Sequence, residues 1–152
     1  MNTKLLAAAL ALALGAGFTL NAAAQAKPET LVKQRQAAMT LQGKYFGPLS
    51  GMAQGKVPYD ANTVARNAEY LHALSHMPWD GFNPSTSGVK SQALPAVYKD
   101  TAKFKEAQDR LTGAVDKLVA ASKGGNEAAV KAAIADVGKS CGGCHENFRE
   151  KQ

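Results

Sequence analysis

Residues 126–148, NEAAVKAAIADVGKSCGGCHENF, hold the most informative pattern in this chain of 152 residues. Asn126 followed by Glu127 is a typical helix start, and Gly124-Gly125 just before it is a typical helix end. Eight residues then recur at helical spacing and share one stripe: Val130, Ala133, Ile134, Val137, Cys141, Cys144, His145 and Phe148. The stretch predicts an amphipathic helix whose last two turns contain both cysteines of the chain.

Three earlier segments have the same helical period in their apolar residues. They run from Pro28 to a point between Pro48 and Gly55, from Asp60 to Met77, and from about Leu94 to Lys123. Residues 79–91 are rich in Gly, Pro, Ser and Thr and predict a loop, and no run alternates with the period of a strand. We therefore predict an all-α fold, an antiparallel up-and-down four-helix bundle that forms a single domain.

The first 24 residues have the organisation of a cleaved signal peptide. Lys4 provides a positive start, Leu5 to Phe18 is an apolar run shorter than a bilayer requires, and Ala22 to Ala24 supply small residues for cleavage. We predict a mature domain of residues 25–152, with Lys27 as the alternative start. The protein is expected to be exported and not to insert into a membrane after cleavage.

Composition excludes several classes of protein. Two cysteines are too few for a multi-disulfide scaffold. The net charge of +6 is spread along the chain without a basic block, so we expect no nucleic-acid partner. No acid–base pair, catalytic triad order or phosphate-binding loop is apparent, and we therefore expect no enzyme.

The motif Cys141-Gly142-Gly143-Cys144-His145 is C-x-x-C-H, the attachment pattern of c-type haem. On a helix, Cys141, Cys144 and His145 lie within one turn on the same face. Two thiols at that separation can reach the two vinyl groups along one porphyrin edge, while the imidazole points at the iron. The motif predicts one haem c per chain, bound through two thioethers, with His145 as the metal ligand.

Three other uses of the cysteines compete with this interpretation. A dithiol redox pair is normally found at a helix start in a βαβ pattern, which this chain lacks. A zinc site needs two more ligands, and His72 and His76, spaced i, i+4, could supply them. A structural disulfide between Cys141 and Cys144 is the third.

The sixth coordination position decides the function of such a haem. A permanent Met or His ligand favours a six-coordinate electron carrier with a redox partner protein, whereas an open position admits small gases. The candidate ligands are Met39, Met52, Met77, His72 and His76. Met39 lies on the inward stripe of the first helix, so we expect it to reach the haem.

Four helices with C-x-x-C-H near the end of the last one resemble the cytochrome c′ family. The resemblance covers essentially all of the predicted mature chain and includes residues 27–29, 35–41, 57–60, 74–82 and 136–149. It implies a periplasmic protein, often a homodimer through the first two helices, that binds nitric oxide and carbon monoxide and discriminates against dioxygen.

The resemblance also implies roles for individual residues. His145 would be the only strong protein ligand of a five-coordinate, high-spin haem, with Met39 covering the opposite face rather than ligating the iron. Arg35 and Gln36 would contact the haem or its propionates, and Arg149 would lie beside the proximal face.

The residues themselves agree in part with these roles. Arg35 interrupts an apolar stripe, and a buried guanidinium needs an anionic partner such as a propionate. The alternative is that Arg35 extends to solvent at the bundle edge. For Arg149 the alternative is a simple cation at a helix C-terminus. Phe82 and Trp79 are candidates for the pocket wall or for plain core.

Overall fold

The computed structural model describes residues 26–151, and its long helices form the predicted antiparallel four-helix bundle. The helices are α1 (Pro28–Ala53), α2 (Ala61–His76), α3 (Ala96–Lys99), α4 (Thr101–Lys123) and α5 (Glu127–Phe148). The predicted signal peptide, residues 1–24, and Gln25 lie outside the described residues. Among the residues described, no helix combines the length and apolar character needed to cross a bilayer.

The helix ends follow the capping residues seen in the sequence. The Asp60 side chain accepts a hydrogen bond from the Asn62 N–H at the start of α2. Asn126 does the same for the Ala129 N–H of α5, as its position predicted. Helix α1 continues past Pro48 and ends at Ala53, within the predicted interval.

A glycine in the left-handed region terminates α1. Gly55 has a φ of 69°, and its N–H donates to the carbonyl of Met52 while the Lys56 N–H donates to that of Gly51. These two bonds form a Schellman motif, which satisfies carbonyls that the last helical turn leaves free. Gly125, with a φ of 72°, occupies the equivalent left-handed position after α4.

The predicted start of the third helix at Leu94 is wrong. The chain forms the single turn of α3 and then leaves helical geometry at Asp100, where φ is −111° and ψ is 60°. The Asp100 side chain accepts from the Lys103 N–H and so caps a new helix, α4. The predicted loop 79–91 contains two 3-10 turns, Trp79–Phe82 and Pro84–Thr86.

The buried apolar residues form two clusters. Helix α1 packs on α2, α2 on α4, α4 on α5, and α5 on α1, so that the four long helices enclose the larger cluster. Its members come from all four long helices: Leu49, Met52, Val64, Ala68, Leu71, Leu111, Val115, Leu118, Val130, Ile134 and Val137. The smaller cluster comprises Val97, Phe104, Ala107 and Phe148. Trp79 packs against both clusters and so links them.

The segment before α3 is tied to the end of α5. The Leu94 N–H donates to the Phe148 carbonyl at 3.0 Å, and the Glu150 N–H donates to the Gln92 carbonyl at 2.8 Å. These bonds form an isolated antiparallel bridge between Ala93 and Arg149. The loop is thereby held against the helix that contains the C-x-x-C-H motif.

Gly81 allows the first 3-10 turn to approach α1 closely. A Cβ at Gly81 would lie 2.7 Å from the Cβ of Arg35 and 2.8 Å from the carbonyl oxygen of Leu31. Contacts this short require the backbone or Arg35 to move.

We expect Gly81→Ala to lower the free energy of unfolding by about 1–3 kcal/mol, because the added methyl overlaps α1. Gly88→Ala is the matched control, since a Cβ there meets nothing within 4 Å. Urea denaturation followed by circular dichroism measures both. Equal stability of the two variants would contradict the close approach.

Candidate haem site

A cavity of about 720 Å³ opens where the two apolar clusters meet. All eight residues predicted for the site line it: Arg35, Gln36, Met39, Phe82, Cys141, Cys144, His145 and Arg149. Its size falls within the range of about 300–1,000 Å³ that is usual for small-molecule and cofactor sites. The tertiary structure thus brings together residues from α1, from the 3-10 turn and from both sides of the α5 terminus.

The motif contributes two thiols and an imidazole to one wall. Cys141 and Cys144 are half-buried free thiols one turn apart on α5. Burial raises the pKa of both thiols, and for Cys144 the nearby Cys141 adds to the effect. Both therefore stay protonated at neutral pH in the unmodified chain.

His145 is solvent-exposed overall but contributes to the cavity wall. Partial desolvation lowers its pKa, and the positive charge of Arg149 lowers it further. Both effects favour the neutral imidazole, which is the form that binds a metal. Arg149 follows the last residue of α5, and its Nε donates to Oε1 of Gln92 at 3.1 Å.

Arg35 places a positive charge in the wall with only neutral partners. The residue is 3% exposed, so the alternative that it extends to solvent is wrong. Its guanidinium donates to the Gly81 carbonyl, to Thr86 Oγ1 at 3.2 Å, to Tyr98 OH at 3.1 Å and to Ser91 Oγ at 2.9 Å.

The guanidinium carbon of Arg35 also lies 4.3 Å from the centre of the Phe82 ring. Within residues 26–151, no carboxylate lies within ion-pair distance of Arg35. A buried cation without an anion is costly, so this wall is suited to a ligand that carries a carboxylate.

The remaining wall is mostly apolar. Met39 on α1 is half-buried, and Gln36, one turn earlier, is exposed at the rim. Four aromatic side chains line the cavity in a connected row: Trp79, Phe82, Phe104 and Phe148. Phe82 packs edge-on against Phe104, whose ring centre is 5.0 Å away.

Only one of the five candidate sixth ligands lines the cavity, and that residue is Met39. Met52 is buried in the larger cluster, and Met77 is 60% exposed. His72 and His76 are exposed and lie beside Asp116 of α4 rather than beside the cysteines. The described residues therefore do not assemble the zinc site of two cysteines and two histidines.

Several residues of the site were missed in the sequence. Tyr98, Thr86 and Ser91 hold Arg35, but they lie 51 to 63 residues away along the chain, and no local pattern links them to it. The helical spacing of Phe104 and Phe148 predicts only that they are core residues. They are buried, and they also line the cavity.

This set of residues fits a haem. The apolar lining suits a porphyrin plane, two thiols and an imidazole share one wall, and the unpaired guanidinium of Arg35 suits a propionate. Covalent attachment would use Cys141 and Cys144, and His145 would hold the iron.

Comparisons with known proteins agree with this fit. A family sequence model described as Cytochrome C' matches residues 30–149. The chain is 45% identical over 126 residues to cytochrome c' of Rubrivivax gelatinosus, covering 82% of this chain and 98% of that one. It is 41% identical over 127 residues to cytochrome c' of Alcaligenes xylosoxydans xylosoxydans, and the match covers 84% of this chain and 98% of that one.

Solved structures show the same similarity in three dimensions. The crystal structure of the Rubrivivax gelatinosus protein superimposes with a TM-score of 0.78, with 82% of this chain and 98% of that chain covered. A nitric oxide complex of an Alcaligenes xylosoxidans cytochrome c prime mutant is 41% identical, with a TM-score of 0.78 and coverages of 84% and 99%. A carbon monoxide-bound variant of that protein, also 41% identical, has a TM-score of 0.77 and coverages of 83% and 98%.

In the haem-loaded protein, we expect Arg35→Met to lower the free energy of unfolding by about 3–5 kcal/mol, because it leaves a buried anion unpaired. Arg35→Lys keeps the charge and is expected to recover part of the loss. Urea denaturation measures both variants.

The control for Arg35 is Arg110→Met on the exposed face of α4, where the guanidinium makes one 3.7 Å ion pair with Glu106. We expect a change below about 0.5 kcal/mol there. If Arg35→Lys is as unstable as Arg35→Met, packing and not charge accounts for the effect.

Proposed function

The chain belongs to the cytochrome c′ family, whose members carry covalently attached haem c, and we propose from this that it is a periplasmic gas-binding cytochrome. The proposed domain spans residues 25–152 after removal of the signal peptide. It binds nitric oxide and carbon monoxide at a five-coordinate, high-spin haem and is not an enzyme. The observation that carries the proposal is a single cavity with the thiols and imidazole on one wall and Met39 on another.

When bound, one haem c supplies an iron that can take a diatomic gas. Cys141 and Cys144 would hold the porphyrin through thioethers, and the neutral imidazole of His145 would hold the iron. Arg35 and Gln36 would bind the propionates, with Arg149 near the imidazole. Phe82 would contact the porphyrin, and its ring packs against the Arg35 guanidinium.

Three polar side chains of the wall on α1 and α2, those of Thr40, Gln42 and Ser75, donate to backbone carbonyls. The hydroxyl of Thr40 donates to the Gln36 carbonyl at 2.8 Å, and Gln42 Nε2 donates to the Leu74 carbonyl at 2.9 Å. Ser75 Oγ donates to the His72 carbonyl at 2.8 Å. The engagement of these three donors disfavours dioxygen, which depends on a distal hydrogen bond more than nitric oxide or carbon monoxide does.

Two further facts support gas binding. The relatives from Alcaligenes xylosoxidans have been crystallised with nitric oxide and with carbon monoxide. In this chain Met39, unbranched and flexible, occupies the wall and can rotate away to admit a small ligand. Met39 is therefore proposed as a steric gate.

The second candidate function is a six-coordinate, low-spin electron carrier that serves a redox partner protein. It is favoured by one observation, that the only candidate sulfur ligand in the cavity wall is Met39. A thioether bound to the iron would close the site to gases and reduce reorganisation on electron transfer.

We expect Met39→Ala to raise the association rate of carbon monoxide with the ferrous protein by about ten-fold or more, because it removes the gate. Flash photolysis measures the rate. The matched control is Met77→Ala, because Met77 lies at the exposed end of α2 and outside the cavity.

The visible spectrum of the resting protein distinguishes the two candidates. A high-spin spectrum that Met39→Ala leaves unchanged supports the gate. A low-spin spectrum that becomes high-spin in Met39→Ala identifies Met39 as a ligand and supports the electron carrier. An unchanged association rate in Met39→Ala would remove Met39 from the gate.

We also propose that two copies associate through α1 and α2. Among residues 26–151, the exposed large apolar side chains are Leu41, Val57, Tyr70 and Met77, with exposures of 40–60%. All four lie on α1, on α2 or in the segments adjoining them. An interface on α1 and α2 would remove these apolar side chains from water.

Leu41→Glu is expected to weaken this dimer by at least about ten-fold, because it buries a charge in an apolar contact. Sedimentation equilibrium at several concentrations measures the dissociation constant. Ala135→Glu, at an exposed position of α5, makes the same charge change away from the proposed interface. Equal effects of the two substitutions would argue against an interface on α1 and α2.

A further inference from the structure

Two of the three histidines of this chain lie together on the outside of the bundle, away from the C-x-x-C-H motif. His72 and His76 are one turn apart on α2, with ring centres 5.3 Å apart. Asp116 of α4 faces them, and its Oδ1 lies 3.3 Å from Nε2 of His72. One donor atom from each of the three side chains lies within 4.8 Å of the others.

From this geometry we propose a second metal site, formed by His72, His76 and Asp116, that binds a divalent transition metal such as Zn²⁺. Two imidazoles at i, i+4 on a helix present their nitrogens on the same side, which is a recurrent zinc-binding arrangement. The carboxylate supplies the third ligand from a different helix. Water completes the shell, because all three residues are exposed.

The observed separations are close to those that an ion requires. Ligand atoms about 2.1 Å from a tetrahedral zinc lie about 3.4 Å apart, and the His72–Asp116 pair is already at that distance. The separations from His76 need to shorten by at most about 1.4 Å, which an exposed side chain achieves by rotating about its χ angles.

The donor set selects the class of ion. Imidazole nitrogen suits zinc, copper and nickel, whereas calcium and magnesium prefer sites made of oxygen atoms. A salt bridge between Lys123 and Glu69, with an N–O distance of 3.1 Å, also joins these two helices. Its two charges cancel, so it adds neither a competing carboxylate ligand nor a repelling positive charge.

The site is separate from the cavity but adjoins its wall. Each ligand follows a cavity-lining residue in the sequence, His72 after Leu71, His76 after Ser75 and Asp116 after Val115. An ion held here would join α2 to α4 on the outer side of the wall. It would stabilise the folded state, because the unfolded chain does not hold Asp116 beside the histidines.

The test is a calorimetric titration of the untagged haem-loaded protein with zinc chloride at about pH 7.5, where ordinary imidazoles are mostly neutral. We expect one ion per chain with a dissociation constant on the order of 10 µM, since three exposed ligands bind less tightly than a closed site. We also expect zinc to raise the melting temperature. Ion binding should leave the Soret band unchanged.

Substitutions at the ligands separate this site from non-specific binding. His76→Ala and Asp116→Asn are each expected to weaken zinc binding about ten-fold or more and to abolish the rise in melting temperature. Asp109→Asn removes an exposed carboxylate from the same helix, where it is paired with Lys105, and should bind zinc as the parent does.

Three results would overturn the proposal. They are the absence of saturable binding below about 1 mM, the same affinity in His76→Ala and the parent, and a Soret shift that tracks zinc occupancy. The first would mean that Asp116 and His72 are only neighbouring side chains, and the last would place the zinc in the cavity.

Discussion

The buried guanidinium of Arg35 is the contact on which the rest of the site depends. It joins α1 to the first 3-10 turn through the Gly81 carbonyl, and to the segments before α4 through Ser91 and Tyr98. A charge removed from water in this way requires compensation, and the hydrogen-bond partners that residues 26–151 offer it are all neutral. The local fold is therefore organised around a cation whose natural counterion belongs to a ligand. A haem propionate meets this requirement with the correct charge and a planar acceptor geometry.

The interior contains two clusters of buried apolar residues, and Trp79 packs against both. Four helices with fully apolar inner faces would close on one another, as the larger cluster does around Leu118 and Ile134. Towards the α5 terminus, Arg35 and the aromatic row line the cavity, whose mostly apolar wall suits a flat apolar group. The haem fills the space that the side chains leave in the core, so its attachment is expected to stabilise the folded state.

The histidines are divided between two chemical environments. His145 borders an apolar cavity, where partial desolvation and Arg149 lower its pKa and favour the neutral ligand. His72 and His76 occupy the solvent side of α2, where only an exposed carboxylate faces them. In the two proposals, the same residue type would hold the haem iron at the cavity wall and an exchangeable ion on the outside of the bundle.

Local patterns were sufficient to predict the helices, because capping and periodicity involve residues within one or two turns. Asp60, Asn126 and Gly125 mark helix ends in the sequence and do so in the structure. The exception was the third helix, where the short-range bond between Asp100 and the Lys103 N–H competes with helix continuation and the apolar period does not reveal it.

The sequence by itself determined the four-helix fold, the motif of Cys141, Cys144 and His145, and the unusual position of Arg35 on an apolar stripe. Only the tertiary structure decided which of five candidate ligands lines the cavity, and which neutral groups hold the guanidinium. It also placed Asp116 beside the two surface histidines. The physical reason is that these relations join residues 40 or more positions apart, and their distances depend on how the helices pack.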